Sequence, residues 1–136
     1  MRFVIVSIIS GTLFGLFDIA INANSYAQKL LDVYKPIANT SVNIPLGIII
    51  DLLYGFVMAG LFLLLYKSLP GKNGLMKGIS YGLIVWFFRV LMYVFSQFMA
   101  INMAINTVLY ILFTGLIEIL MIGIFYGLFL KPKEVK

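Results

Sequence analysis

The chain has no cysteine and no histidine. Without cysteine there are no disulfides, no thiolate nucleophile and no Cys-ligated iron–sulfur cluster. Without histidine there is no His-ligated haem, no ordinary zinc site and no usual general base near neutral pH. Charge is scarce too: 11% of the 136 residues are charged, against 62% hydrophobic. That is too little for a soluble domain of this size. HExxH, a glycine-rich phosphate loop, G-x-S-x-G and a spaced aspartate cluster are all missing. An enzyme is therefore not expected, although paired carboxylates such as Asp51 and Glu118 can do acid–base work. No cofactor or metal is expected.

What the sequence does contain is apolar runs of about 20 residues, the length that crosses a hydrocarbon core. Four spans are predicted, near 3–22, 44–66, 78–98 and 108–130. The fold class that follows is an all-α membrane protein, a four-transmembrane-helix bundle in one domain over 1–136, with the lipid bilayer as its partner. The first run resembles a signal peptide, but Asp18 interrupts it, and it is read as a spanning helix.

The net charge is +5. The basic residues flank the apolar runs, so they read as orientation signals, and no nucleic-acid binding is expected. Lys67, Lys72 and Lys77 make one loop the most basic, while Arg2 and the tail Lys131, Lys133 and Lys136 add to the same side. The connection near 99–107 is uncharged. The positive-inside rule then predicts a multi-pass protein of the cell membrane with both termini cytoplasmic. In the loop at 23–43, Ser25 with Gln28 forms a capping-box pattern ahead of Leu30, Leu31, Val33 and Tyr34. A short interfacial helix is expected there, or a disordered loop.

Shifting the chain by 67 residues aligns its halves without a gap. Gly11, Gly15 and Leu16 fall on Gly78, Gly82 and Leu83, and Gly60-Leu61-Phe62-Leu63 falls on Gly127-Leu128-Phe129-Leu130. Asp51 falls on Glu118. Two tandem two-helix hairpins are predicted, about 1–67 and 68–136, related by a pseudo-two-fold axis along the membrane normal. Gly11 and Gly15, Gly78 and Gly82, and Gly123 and Gly127 are spaced for close helix packing.

Four ionisable residues, Asp18, Asp51, Arg89 and Glu118, fall inside predicted spans. Each should turn inward and find partners. At a rise of about 1.5 Å per residue, Arg89 and Glu118 lie roughly 16–18 Å from the cytoplasmic ends, and Asp18 and Asp51 roughly 22 Å. Arg89 is expected to bind one carboxylate bidentately and bridge to a second. At least one acid is then left to be protonated, hydrated or paired outside the chain. Asn22 and Asn24 would extend the polar track outward. Trp86, Phe87 and Phe88 read as packing and lipid-facing groups. Tyr26, Tyr34, Tyr66 and Tyr110 read as an aromatic belt, and Met58, Met92, Met99, Met103 and Met121 as adaptable packing.

The interior charges read either as a structural clamp or as a proton-coupled or cation-binding site, with Asp18, Asn22, Asp51, Arg89 and Glu118 as binding residues. The favoured function is transport of a small solute or ion, with a homodimer or larger membrane complex to complete the path. The alternative is a non-catalytic accessory or scaffold subunit of a larger membrane complex.

Overall fold

The computed structural model describes residues 1–132; Lys133, Glu134 and Lys136 of the tail lie outside the described residues. The described residues form helices and no strands. Helix α1 runs Arg2–Asn22, α2 runs Ser25–Leu30 and continues as a 3-10 segment Leu31–Ile37, and α3 runs Ile44–Leu65. Helix α4 (Gly74–Trp86) passes through a π turn (Phe87–Leu91) into α5 (Met92–Ala100), and α6 runs Ile105–Phe129. Four helical stretches are long and apolar enough to cross a membrane: 2–22, 44–65, 74–100 and 105–129.

Asparagine side chains set three of the helix starts. Asn43 accepts from the Leu46 amide at the head of α3, and Pro45 occupies the first turn, where it lacks no needed donor. Asn73 caps α4 in the same way through the Met76 amide. That cap starts the third spanning stretch at Gly74 rather than near residue 78. Gly71, with φ of 132°, makes the preceding turn in a conformation open to glycine and few other residues. The cap of α2 is Asn24, whose side chain accepts from the Ala27 amide. Ser25 is therefore the first helical residue and not the cap that the capping-box pattern suggested.

Helix α1 packs on α3 and α4 packs on α6, with α1 touching α6 between the pairs. Glycine makes both close contacts. A Cβ at Gly11 would meet the Asp51 carbonyl oxygen and Leu52 Cα, each at 2.8 Å. A Cβ at Gly82 would meet the Ile119 carbonyl oxygen at 3.1 Å and Leu120 Cα at 3.2 Å. Gly55 lies against the Ser7 carbonyl and Gly11, and Gly123 lies against the Gly78 carbonyl and Gly82. The two pairs thus pack by the same backbone pattern. The pattern matches Gly11 with Gly82 and Gly55 with Gly123, so the first helices correspond four residues beyond the ungapped register.

Between the pairs lies an aromatic core of Phe14, Phe62, Tyr81 and Tyr126, all buried. Phe62 meets Tyr81 edge-on at 5.2 Å between ring centroids. Both buried tyrosine hydroxyls find acceptors: Tyr81 donates to the Met58 carbonyl at 2.7 Å, and Tyr126 to Ser10 Oγ at 2.9 Å. The outer faces are as apolar as the core. Leu64 is 80% exposed, Phe88 70% and Phe113 65%. A water-soluble protein rarely shows such a surface, whereas acyl chains solvate it without penalty. Met58 and Met103 are buried, while Met92, Met99 and Met121 face outward. Phe87 is exposed like Phe88, and Trp86 turns in to donate to the Leu112 carbonyl at 3.0 Å.

Arg2, Lys77 and Lys131 gather at one end of the bundle, while Lys29 and Lys35 lie in the α2 segment at the other. Arg2 donates to the Phe129 carbonyl at the end of α6, Lys77 donates to the Tyr66 carbonyl, and Lys131 lies against Gly74. Cations at helix C-termini complement the helix dipole and fill otherwise free carbonyls.

Candidate functional site

Three of the four intramembrane charges converge. Asp18 of α1, Arg89 of the π turn and Glu118 of α6 line one cavity of about 300 Å³, with Asn22, Tyr93, Tyr110 and Thr114 around them. Starting the third span at Gly74 places Arg89 roughly 22 Å along it from that N-terminal end, level with Asp18 of α1. The π turn contributes as well: its extra residue offsets the faces of the helix on either side of Arg89. Wide turns of this kind recur at functional sites. Gly115 lets Val90 approach, since a Cβ there would lie 2.9 Å from Val90 Cγ1.

The expected bidentate clamp does not form. Among the described residues the one ion pair is Lys35 with Asp32, at 2.8 Å on the surface. Arg89 instead lies over two aromatic faces, 4.6 Å from the Tyr54 centroid and 5.3 Å from that of Phe14. The ring quadrupoles supply part of what a carboxylate would have supplied. Among the described residues, Arg89 Nη1 is buried without a hydrogen-bond partner. Glu118 is 7% exposed, and its Oε1 also has no partner. A buried polar atom without a partner costs roughly 1–3 kcal/mol, so a purely structural cluster would be expected to close these gaps.

Asp51 stands apart from this cavity. It lines an adjoining groove of about 450 Å³ between α1 and α3, together with Gly11, Gly15, Ile19, Gly47 and Ile48. Gly15 gives its carboxylate room, because a Cβ there would lie 2.7 Å from Asp51 Oδ2. Asp18 lines both spaces and joins them. Asn22 lines the cavity, but its amide donates to the Asp18 carbonyl of its own helix at 2.9 Å. Asn24 extends the polar track as expected, donating to Tyr110 Oη at 3.2 Å.

The site also uses aromatic and hydroxyl groups that the search for charge passed over. Tyr110, Thr114 and Glu118 lie four residues apart on one face of α6, and Tyr93 follows Arg89 by four. Tyr54 follows Asp51 by three. Helical spacing from each charge would have found them. Leu31 of the 3-10 segment also lines the cavity. Thr107 donates to the Leu30 carbonyl at 2.9 Å, and the Tyr26 and Tyr110 rings meet edge-on at 5.8 Å. These contacts fasten the α2 segment to α6. Toward the basic end the cavity gives way to the aromatic core.

The fold and site define a small helical protein with four membrane-length helices and a charged interior cavity. The chain belongs to a family of unknown function (DUF6789), whose model matches residues 3–131. No curated protein and no solved structure matches it.

Proposed function

We propose that this protein moves a small solute or ion across the cell membrane in exchange with, or together with, protons. The observation that carries the reading is the open charge cluster. Asp18, Arg89 and Glu118 share a cavity, yet Arg89 pairs with none of them, and Glu118 Oε1 and Arg89 Nη1 lack partners. Intramembrane ionisable groups that do not cancel one another are the usual markers of ion and proton paths. In this reading Glu118 carries the proton, Arg89 sets the charge balance, and Asp18 faces the entrance.

The basic end, with Arg2, Lys77 and Lys131, supports an orientation with both termini in the cytoplasm. The cavity then opens toward the outer side. Matched packing in the two helix pairs supports a duplicated hairpin. Four helices make a thin wall, so a homodimer completes the path.

The test is proton movement in proteoliposomes containing a trapped pH-sensitive dye, under imposed sodium, potassium and organic-ammonium gradients. Movement above protein-free vesicles is expected with at least one gradient, and its loss in Glu118→Gln with normal incorporation. No movement with any gradient, together with co-purification of one stoichiometric partner, would replace this reading with that of an accessory subunit.

A further inference from the structure

The interior is short of positive charge. Asp18, Asp51 and Glu118 outnumber Arg89, and among the described residues no lysine lines either the cavity or the groove. The groove itself carries Asp18 and Asp51 and no basic residue. The remainder of its wall is glycine, aliphatic carbon and Thr12. Its rim faces the surrounding acyl chains: Leu16 is 57% exposed, Ile19 64% and Ile44 67%. The wall is unfilled at Gly47, where an added Cβ would meet nothing within 4 Å. Its volume of about 450 Å³ is in the range of sites for small organic ligands. Asp18 links it to the cavity where the buried Glu118 leaves Oε1 without a partner.

An apolar chain gains little by leaving lipid for an apolar groove, since both surroundings are hydrocarbon. A neutral amphiphile therefore has no reason to prefer this place. Two carboxylates at its base change that, because ionic attraction is strong where water is excluded. An anionic amphiphile is repelled by the same groups.

We propose that the α1–α3 groove binds an amphiphilic monoammonium ion, its single aliphatic chain between the helices and its charged end between Asp18 and Asp51. The proposal rests on the transport reading in taking this ion as the solute that is moved; the binding itself stands on the groove.

The experiment is equilibrium binding of radiolabelled decyltrimethylammonium to the full chain in phosphatidylcholine nanodiscs, with empty discs as the blank. Saturable binding is expected, with none for decyl sulfate. Asp51→Asn should weaken it at least tenfold. Gly47→Leu fills the groove while leaving every charge in place, and should abolish it. Trp86 emission and elution volume check that both variants keep the fold. Binding equal to empty discs, or unchanged in Gly47→Leu, overturns the proposal. Loss of probe binding when phosphatidylethanolamine replaces phosphatidylcholine assigns the ammonium to a lipid headgroup and also overturns it. Proton movement that persists where no ammonium binds sinks the ligand class and leaves the transport reading standing. Binding without any flux does the reverse.

Discussion

A methyl group added at Gly127 should loosen the α4–α6 pair, whereas the same change at Gly60 should pass almost unnoticed. At Gly127 the new Cβ would collide with the Gly74 carbonyl oxygen and lie 3.1 Å from Gly78 Cα. Both obstacles are backbone, so no side chain can swing away. Ordinary Cβ contacts lie at 3.4–4 Å. Relief therefore needs the helices to part by roughly an ångström, and a gap of 0.5–1 Å forfeits about a quarter to a half of each dispersion contact along the seam. Overpacking typically costs about 1–3 kcal/mol, and the upper half of that range is expected here because the backbone cannot yield locally. Gly82→Ala should cost less, about 1 kcal/mol, since its contacts begin at 3.1 Å and include the movable Leu120 side chain. Nothing lies within 4 Å of a Cβ at Gly60, so Gly60→Ala should stay within about 0.5 kcal/mol. Trp86 is the single tryptophan and donates to Leu112 across this same seam, so its emission reports the separation directly. The assay is reversible unfolding in mixed micelles as the fraction of denaturing detergent rises. Equal midpoints for Gly127→Ala and Gly60→Ala would refute the close-contact argument.

Three further changes probe the interior and its outer cover. Glu118→Leu removes a buried carboxyl with an unpartnered oxygen and should stabilise the fold by about 1–3 kcal/mol while abolishing proton movement; a lower unfolding midpoint would mark Glu118 as a structural clamp instead. Tyr126→Phe deletes the 2.9 Å hydrogen bond to Ser10 between the helix pairs and should cost about 1–1.5 kcal/mol in the same assay. If the midpoint does not move, that bond contributes nothing to joining the pairs. Thr107→Val cuts the tie to the Leu30 carbonyl and should speed amide exchange selectively across residues 25–37, by roughly the tenfold that 1.4 kcal/mol represents. Uniform exchange throughout the chain would show that the α2 segment is held by other contacts.

The class of fold was legible because it depends on composition and length alone. Runs of about 20 apolar residues have few soluble alternatives, and a buried backbone must satisfy its own hydrogen bonds. The glycine spacings were legible for a similar reason: residues four apart share a helix face whatever lies opposite. The same local logic pointed to the short helix after α1, although Asn24 took the capping role that Ser25 seemed to hold.

The partners of the charges were not legible. Sequence required Asp18, Asp51, Arg89 and Glu118 to turn inward, since hydrocarbon tolerates isolated charge poorly. It could not say that a wide turn would place Arg89 over Tyr54 and Phe14, or that Gly15 would let Asp51 settle in a separate groove. The register between the helix pairs was equally hidden, because apolar faces match one another in several offsets and backbone contact alone selects one. Periodicity along the chain fixes which residues share a face. Which faces meet, and what a charge finds when it gets there, is decided by packing between helices far apart in sequence.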